Sequence, residues 1–145
     1  MKLIVQRVSS AKVSVKGKSV GKIDKGFFVL VGVRKKDSLK SAEILAEKLS
    51  KLRIMSDEAG KMNLTLGQVK GKLLVVSQFT LYAETKGGNR PSFIDAAEPK
   101  LAQEVYEHFL AELKRREINF ETGKFGAYME IETILDGPVT TILEA

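Results

Sequence analysis

The sequence predicts an α+β fold in a single domain, residues 1–145, with a mixed or antiparallel sheet and two main helices. Three observations predict it. Several Val/Ile-rich runs either alternate with polar residues or stay apolar throughout, as strands do. Two longer stretches repeat their apolar residues at helical spacing. The 145-residue chain shows no repeat, low-complexity tract or linker, so one core serves its whole length.

Leu3–Val15 is the first predicted strand, because Val13 and Val15 alternate with Lys12, Ser14 and Lys16. Lys16-Gly17-Lys18 is a turn and Ser19–Ile23 the returning strand. Gly26–Val33 is apolar without a break, which predicts a strand buried on both faces. Asp37 or Ser38 caps a helix reaching about Leu52, with Leu39, Ala42, Leu45, Ala46, Leu49 and Leu52 on one face. Glu47 and Lys51 form an i,i+4 pair on its exposed side. Asp57-Glu58-Ala59-Gly60 is a turn, Lys72–Gln78 a second buried strand, and Glu84–Pro91 a polar loop. Pro99 opens the second helix, where its missing N–H is not needed, and Leu101, Val105, Phe109 and Leu113 line one face. Two strands, Met129–Leu135 and Val139–Leu143, close the chain on either side of Asp136-Gly137-Pro138.

Composition narrows the chemistry. With no cysteine, disulfides, thiol catalysis and cysteine-ligated metals are excluded, which fits a cytoplasmic protein. The short apolar start, Met1–Val5, runs into Gln6 and Arg7 and is neither a signal peptide nor a membrane span. A net charge of +6 permits a polyanionic partner and equally suits a solvated basic surface. His108 is the only histidine and lies beside the apolar stripe of the second helix, where it reads as a partly exposed helix residue. A Ser-His-Asp triad then lacks a base, and a zinc site lacks ligands. Gly87-Gly88 lacks the strand-to-helix setting of a phosphate loop. No cofactor is called for.

Two segments stand out: Ser77-Gln78-Phe79-Thr80-Leu81 at the end of a buried strand, and Asp136-Gly137-Pro138-Val139-Thr140 near the C-terminus. With Val5-Gln6-Arg7-Val8, Gly60–Leu64, Asn89-Arg90-Pro91-Ser92-Phe93 and Glu121-Thr122-Gly123 in order along the chain, they resemble the D-aminoacyl-tRNA deacylases. One departure is Leu135, where that family often has asparagine. The resemblance implies a barrel-like core, a homodimer, aminoacyl-tRNA as substrate and an ester as target. It also implies a cis Gly137–Pro138 peptide that enters the partner's active site, Phe125 near the terminal adenine, and Ala102 and Met129 lining the aminoacyl pocket.

Read by themselves, these residues have plainer roles. Gly137-Pro138 is a hairpin turn, Phe125 a core ring, Ala102 and Met129 filler, and Arg7 a surface arginine on a strand. Thr80 at a strand end binds local backbone. As a nucleophile it lacks a histidine to take its proton. The favoured role for Ser77–Thr80 is positional, with the Phe79 and Thr80 N–H groups polarising the ester carbonyl. Water is then the nucleophile, assisted by the ribose 2′-hydroxyl, as the resemblance also implies. Arg7 holds the Gly-Pro loop by a charge-assisted bond to a carbonyl. Two other classes stand beside this reading: an RNA-binding module without activity, and a related deacylase that removes L-alanine with a trans Gly-Pro. Ser77–Thr80 favours the D-specific branch.

Overall fold

A computed structural model describes residues 1–145. Its elements are β1 (Lys2–Val15), β2 (Lys18–Ile23), β3 (Gly26–Gly32), α1 (Leu39–Ser50), β4 (Met55–Ser56), β5 (Met62–Leu64), β6 (Lys72–Ser77), a 3-10 turn (Phe79–Tyr82), α2 (Pro99–Arg115), β7 (Phe120–Thr122) and β8 (Glu130–Glu144). β1 carries the antiparallel β8 along one edge, and antiparallel β3 and then β2 along the other. β3 pairs in parallel with β6, and β6 in parallel with β7, so the sheet is mixed. It curls until its ends approach: a Cβ on Gly21 of β2 would stand 2.7 Å from the Thr122 carbonyl oxygen of β7. The result is nearly a barrel. β4 and β5 form a separate hairpin around the Asp57–Gly60 turn, which the Gly60 N–H closes at 3.0 Å to the Asp57 oxygen.

The unbroken apolar runs of β3 and β6 follow from this curvature, because both faces of these strands are covered. Phe27, Val29, Val31, Leu73 and Val75 face the helices, while Phe28, Leu74 and Val76 face the barrel interior with Val8, Val13 and Ile23. β3 starts at Gly26 because it meets β6 too closely for a side chain: a Cβ there would fall 1.8 Å from the Lys72 oxygen. α1 buries Ala42, Leu45, Ala46 and Leu49, and α2 buries Val105, Phe109 and Leu113. Each large side chain so buried contributes roughly 1.5–3 kcal/mol.

One alternative is decided and two expectations need correction. Ser38, not Asp37, is the N-cap of α1. Asp37 instead accepts the Arg34 N–H at 2.8 Å and ion-pairs with the buried Met1 ammonium. Leu39 remains 40% exposed, so the buried face of α1 begins at Ala42. The two closing strands are one strand, β8. Between the Gln6–Thr140 and Val8–Leu135 pairs, the residues Asp136–Val139 all stand opposite Arg7 alone. The turn signal therefore makes a wide bulge, not a reversal. A proline is tolerated there because β8 is an edge strand.

Candidate active site

β3 and β6 run in parallel, and their carboxyl ends open into one large cavity of about 680 Å³. Crevices beyond the carboxyl ends of parallel strands are where such sheets place ligands. Its walls come from four segments: Val31 of β3 with Val33 just after it, Val76–Phe79 from β6 onward, Phe93 and Ala96–Pro99 with Ala102 and Tyr106 of α2, and Phe125–Met129 with Ile131 of β8. Most of the wall is apolar; Ser77, Gln78 and Glu98 are its polar side chains.

Of the residues singled out in the sequence, Ser77, Gln78, Phe79, Ala102, Phe125 and Met129 meet here. Ser77 ends the strand and Gln78 leaves it, its N–H donating to the Val31 oxygen at 2.7 Å. The chain then tightens into the 3-10 turn. The Phe79 and Thr80 amides begin this turn, and neither has an acceptor among the backbone bonds of turns and caps. Thr80 does not line the cavity; it is exposed, and its hydroxyl oxygen accepts from the Gln78 side-chain amide. Phe79 rests edge-on against Phe93, with ring centres 5.0 Å apart.

Besides Thr80, three residues are missing from the cavity. Arg7, Gly137 and Pro138 form a second group at the β8 bulge. The Arg7 guanidinium donates through Nη1 to the Ile54 oxygen at 2.9 Å and the Ser56 Oγ at 3.0 Å. Its Nε donates to the Asp136 carbonyl at 3.1 Å and pairs with the Asp136 carboxylate at 3.1 Å. Arg7 is thus a buried clamp and not a surface arginine. The Gly137–Pro138 peptide is cis, and both residues are exposed. Gly137 has φ +137°, and a Cβ on it would stand 2.7 Å from the Val139 nitrogen, so the bulge requires glycine.

His108 faces Glu43 of α1 at 3.5 Å and does not line the cavity. Sequence reasoning missed Tyr106 and Tyr128. Tyr106 is buried with its hydroxyl donating to the Val75 oxygen at 3.1 Å, and burial pushes its phenol pKa well up. Its signal was its place beside Val105 on the apolar face of α2. Tyr128 gave no signal, since it belongs to no periodic element. No helix is long and apolar enough to cross a membrane.

Residues 4–144 match the family described as D-Tyr-tRNA(Tyr) deacylase. A D-aminoacyl-tRNA deacylase of Desulfatibacillum aliphaticivorans is 52% identical over 100% of this chain and 99% of its own. One from Fusobacterium nucleatum is 52% identical over 99% of this chain and 95% of its own. A solved structure named c-Myc DNA Unwinding Element Binding Protein superposes with a TM-score of 0.93 at 39% identity, covering 100% of this chain and 99% of that one. With its fold, its cavity-facing Ser77–Phe79 segment and its full-length similarity all in agreement, the chain belongs to the D-Tyr-tRNA(Tyr) deacylase family.

Proposed function

We propose that this chain is a cytoplasmic editing hydrolase that cleaves the ester of D-aminoacyl-tRNA, releasing the amino acid from the terminal adenosine. One observation carries the reading: the Ser77–Phe79 segment lines a 680 Å³ cavity in a chain 52% identical, end to end, to relatives named for that activity. Small-molecule clefts typically measure about 300–1,000 Å³, so the cavity suits an aminoacyl ester with its adenosine. Ala102 and Met129 shape the aminoacyl end, and Phe125 supports the adenine.

The ester carbonyl is polarised by the unengaged N–H groups of Phe79 and Thr80. The Thr80 hydroxyl accepts from the Gln78 amide, which removes no proton, so Thr80 is a poor nucleophile. Water attacks, and the ribose 2′-hydroxyl beside the ester assists it. Chirality is set by Gly137 and Pro138 of a second copy. In one chain they lie outside the cavity, on a β8 edge where Ile134 is 64% and Ile142 60% exposed. A long apolar edge strand is a template for another chain, and two such edges meet self-complementarily about a two-fold axis. The carbonyl oxygens of the finger accept from the substrate ammonium. A D side chain then points outward, whereas an L side chain is driven into them. Glycine, with no side chain, is cleaved as well.

The 39% identity to a DNA-element-binding protein supports a second reading, binding of nucleic acid without hydrolysis. Release of the amino acid separates the two. The catalytic assignment is tested with substrate ending in 2′-deoxyadenosine, expected to react roughly a hundredfold more slowly or worse. Thr80→Ala is expected to keep most of the rate. A folded but inactive Thr80→Ala protein, with full activity on the deoxy substrate, would overturn it.

A further inference from the structure

Five aromatic rings line the cavity: Phe79, Phe93, Tyr106, Phe125 and Tyr128. Four are paired. Phe79 meets Phe93 at 5.0 Å, and Tyr106 meets Phe125 at 5.8 Å between ring centres. Tyr128 has no ring partner and is 90% exposed, more than any other exposed large apolar side chain of the chain. It sits on a defined turn: Gly126 adopts φ +71°, and the Ala127 N–H donates to the Lys124 oxygen at 3.2 Å. Its neighbour Met129 is half-buried against the core, so the chain holds Tyr128 at the mouth.

Three cationic residues adjoin this wall, whose own charged residue is Glu98. Arg34, Lys35 and Lys36 follow the cavity-lining Val33 directly, and all three are exposed. The Lys35 N–H donates to the Asp95 oxygen at 3.1 Å and Arg34 bridges Ala96, which ties this turn to the Phe93–Ala97 wall. Arg34 is partly neutralised by Asp37 at 3.2 Å. Lys35 and Lys36 have no such partner among the ion pairs.

We infer that Tyr128 is a stacking platform for the base of the nucleotide preceding the terminal adenosine, with Lys35 and Lys36 facing the phosphates of that unpaired strand. This rests on the reading that the cavity holds the terminal aminoacyl-adenosine. A cavity filled by that unit leaves the preceding nucleotide outside the mouth, where an unpaired ring and cationic side chains meet it. Unpaired bases are held by this combination of aromatic faces and basic grooves, without reading their identity.

The test compares two substrates, D-tyrosyl-tRNA and D-tyrosyl-adenosine, which lacks the preceding nucleotide. Tyr128→Ala is expected to raise KM for the tRNA roughly tenfold, near the lower value of one base stack. The rise on D-tyrosyl-adenosine is expected to be several-fold smaller, and Tyr128→Phe is expected to restore binding of the tRNA. Equal effects on both substrates, no effect on the tRNA, or a changed oligomeric state of Tyr128→Ala would each overturn the inference. Met129→Trp, which fills the cavity, checks the underlying reading separately. It is expected to slow both substrates, and undiminished cleavage of both would remove the cavity assignment and the inference with it.

Discussion

Arg7 links the chemistry of one side chain to the shape of the whole edge. It lies on β1 and is only 7% exposed, where an unpaired charge would be costly. Its planar fork solves this by donating to both sides: Ile54 and Ser56 on one, Asp136 on the other. A lysine keeps the charge but is a single point with no fork. Arg7→Lys is therefore expected to cost about 2 kcal/mol, the value of hydrogen bonds lost from a charged group. It is also expected to loosen the Gly137-Pro138 bulge, so the rate on D-tyrosyl-tRNA falls and the L-to-D rate ratio rises. Thermal melts and both rates check this; an unchanged rate ratio in a destabilised protein would mean that Arg7 is only a structural clamp. The sequence left Arg7 open between clamp and surface residue, because its acceptors Ile54 and Asp136 are remote in sequence. Likewise, Ser77, Gln78 and Phe79 were legible as a segment, whereas the unpaired state of Tyr128 depends on contacts that no local pattern records.

At the scale of elements, the strands and helices with long periodic signals were the legible ones. β1, β3, β6 and α1 lie within a residue or two of their expected bounds, and α2 starts at the expected Pro99, since burial imposes their pattern. β4, β5 and β7 are two or three residues long, too short to show a period. The β8 bulge was read as a break because Asp-Gly-Pro is turn chemistry, while pairing to β1 on both sides keeps the strand continuous. Ion pairs on both helices and on β8 also carry the acid sensitivity. At the end of α2, Arg115 and then Arg116 hold the Glu112 carboxyl down to about 2, against 4.5 for a free glutamate. Lys40 and Lys51 lower Glu43 and Glu47 on α1, and Lys12 and Lys2 lower Glu132 and Glu144 on β8. A depressed folded pKa adds stability that is present above the unfolded pKa and is lost as pH falls through the folded one. The melting temperature is therefore expected to hold at neutral pH and to fall from about pH 4.5 toward 2. Glu112→Gln should flatten that decline while lowering the melting temperature at pH 7. An identical acid slope in the variant would show that Glu112 does not contribute to it.

At the scale of the whole molecule, the residues of the proposed site lie in two separate places. The cavity and the Ser77–Phe79 segment lie at the carboxyl ends of β3 and β6, and the Gly137-Pro138 finger lies on the outer edge at β8. A single copy does not bring them together, and the second copy proposed above is what would join them. On the proposed reading, that arrangement would make selection an act of exclusion. The proposed finger would reject an L side chain, and nothing in it would read the side chain of a D residue. A site built in the proposed way would have no means of refusing glycine, because excluding a smaller group requires a contact that senses its absence. The most direct measurement is a comparison of cleavage rates on D-tyrosyl-, L-tyrosyl- and glycyl-tRNA by the assembled protein. Fast release from the D and glycyl forms with the L form left intact is the predicted result. Rapid cleavage of the L form, or a glycyl form that is wholly inert, would contradict the account.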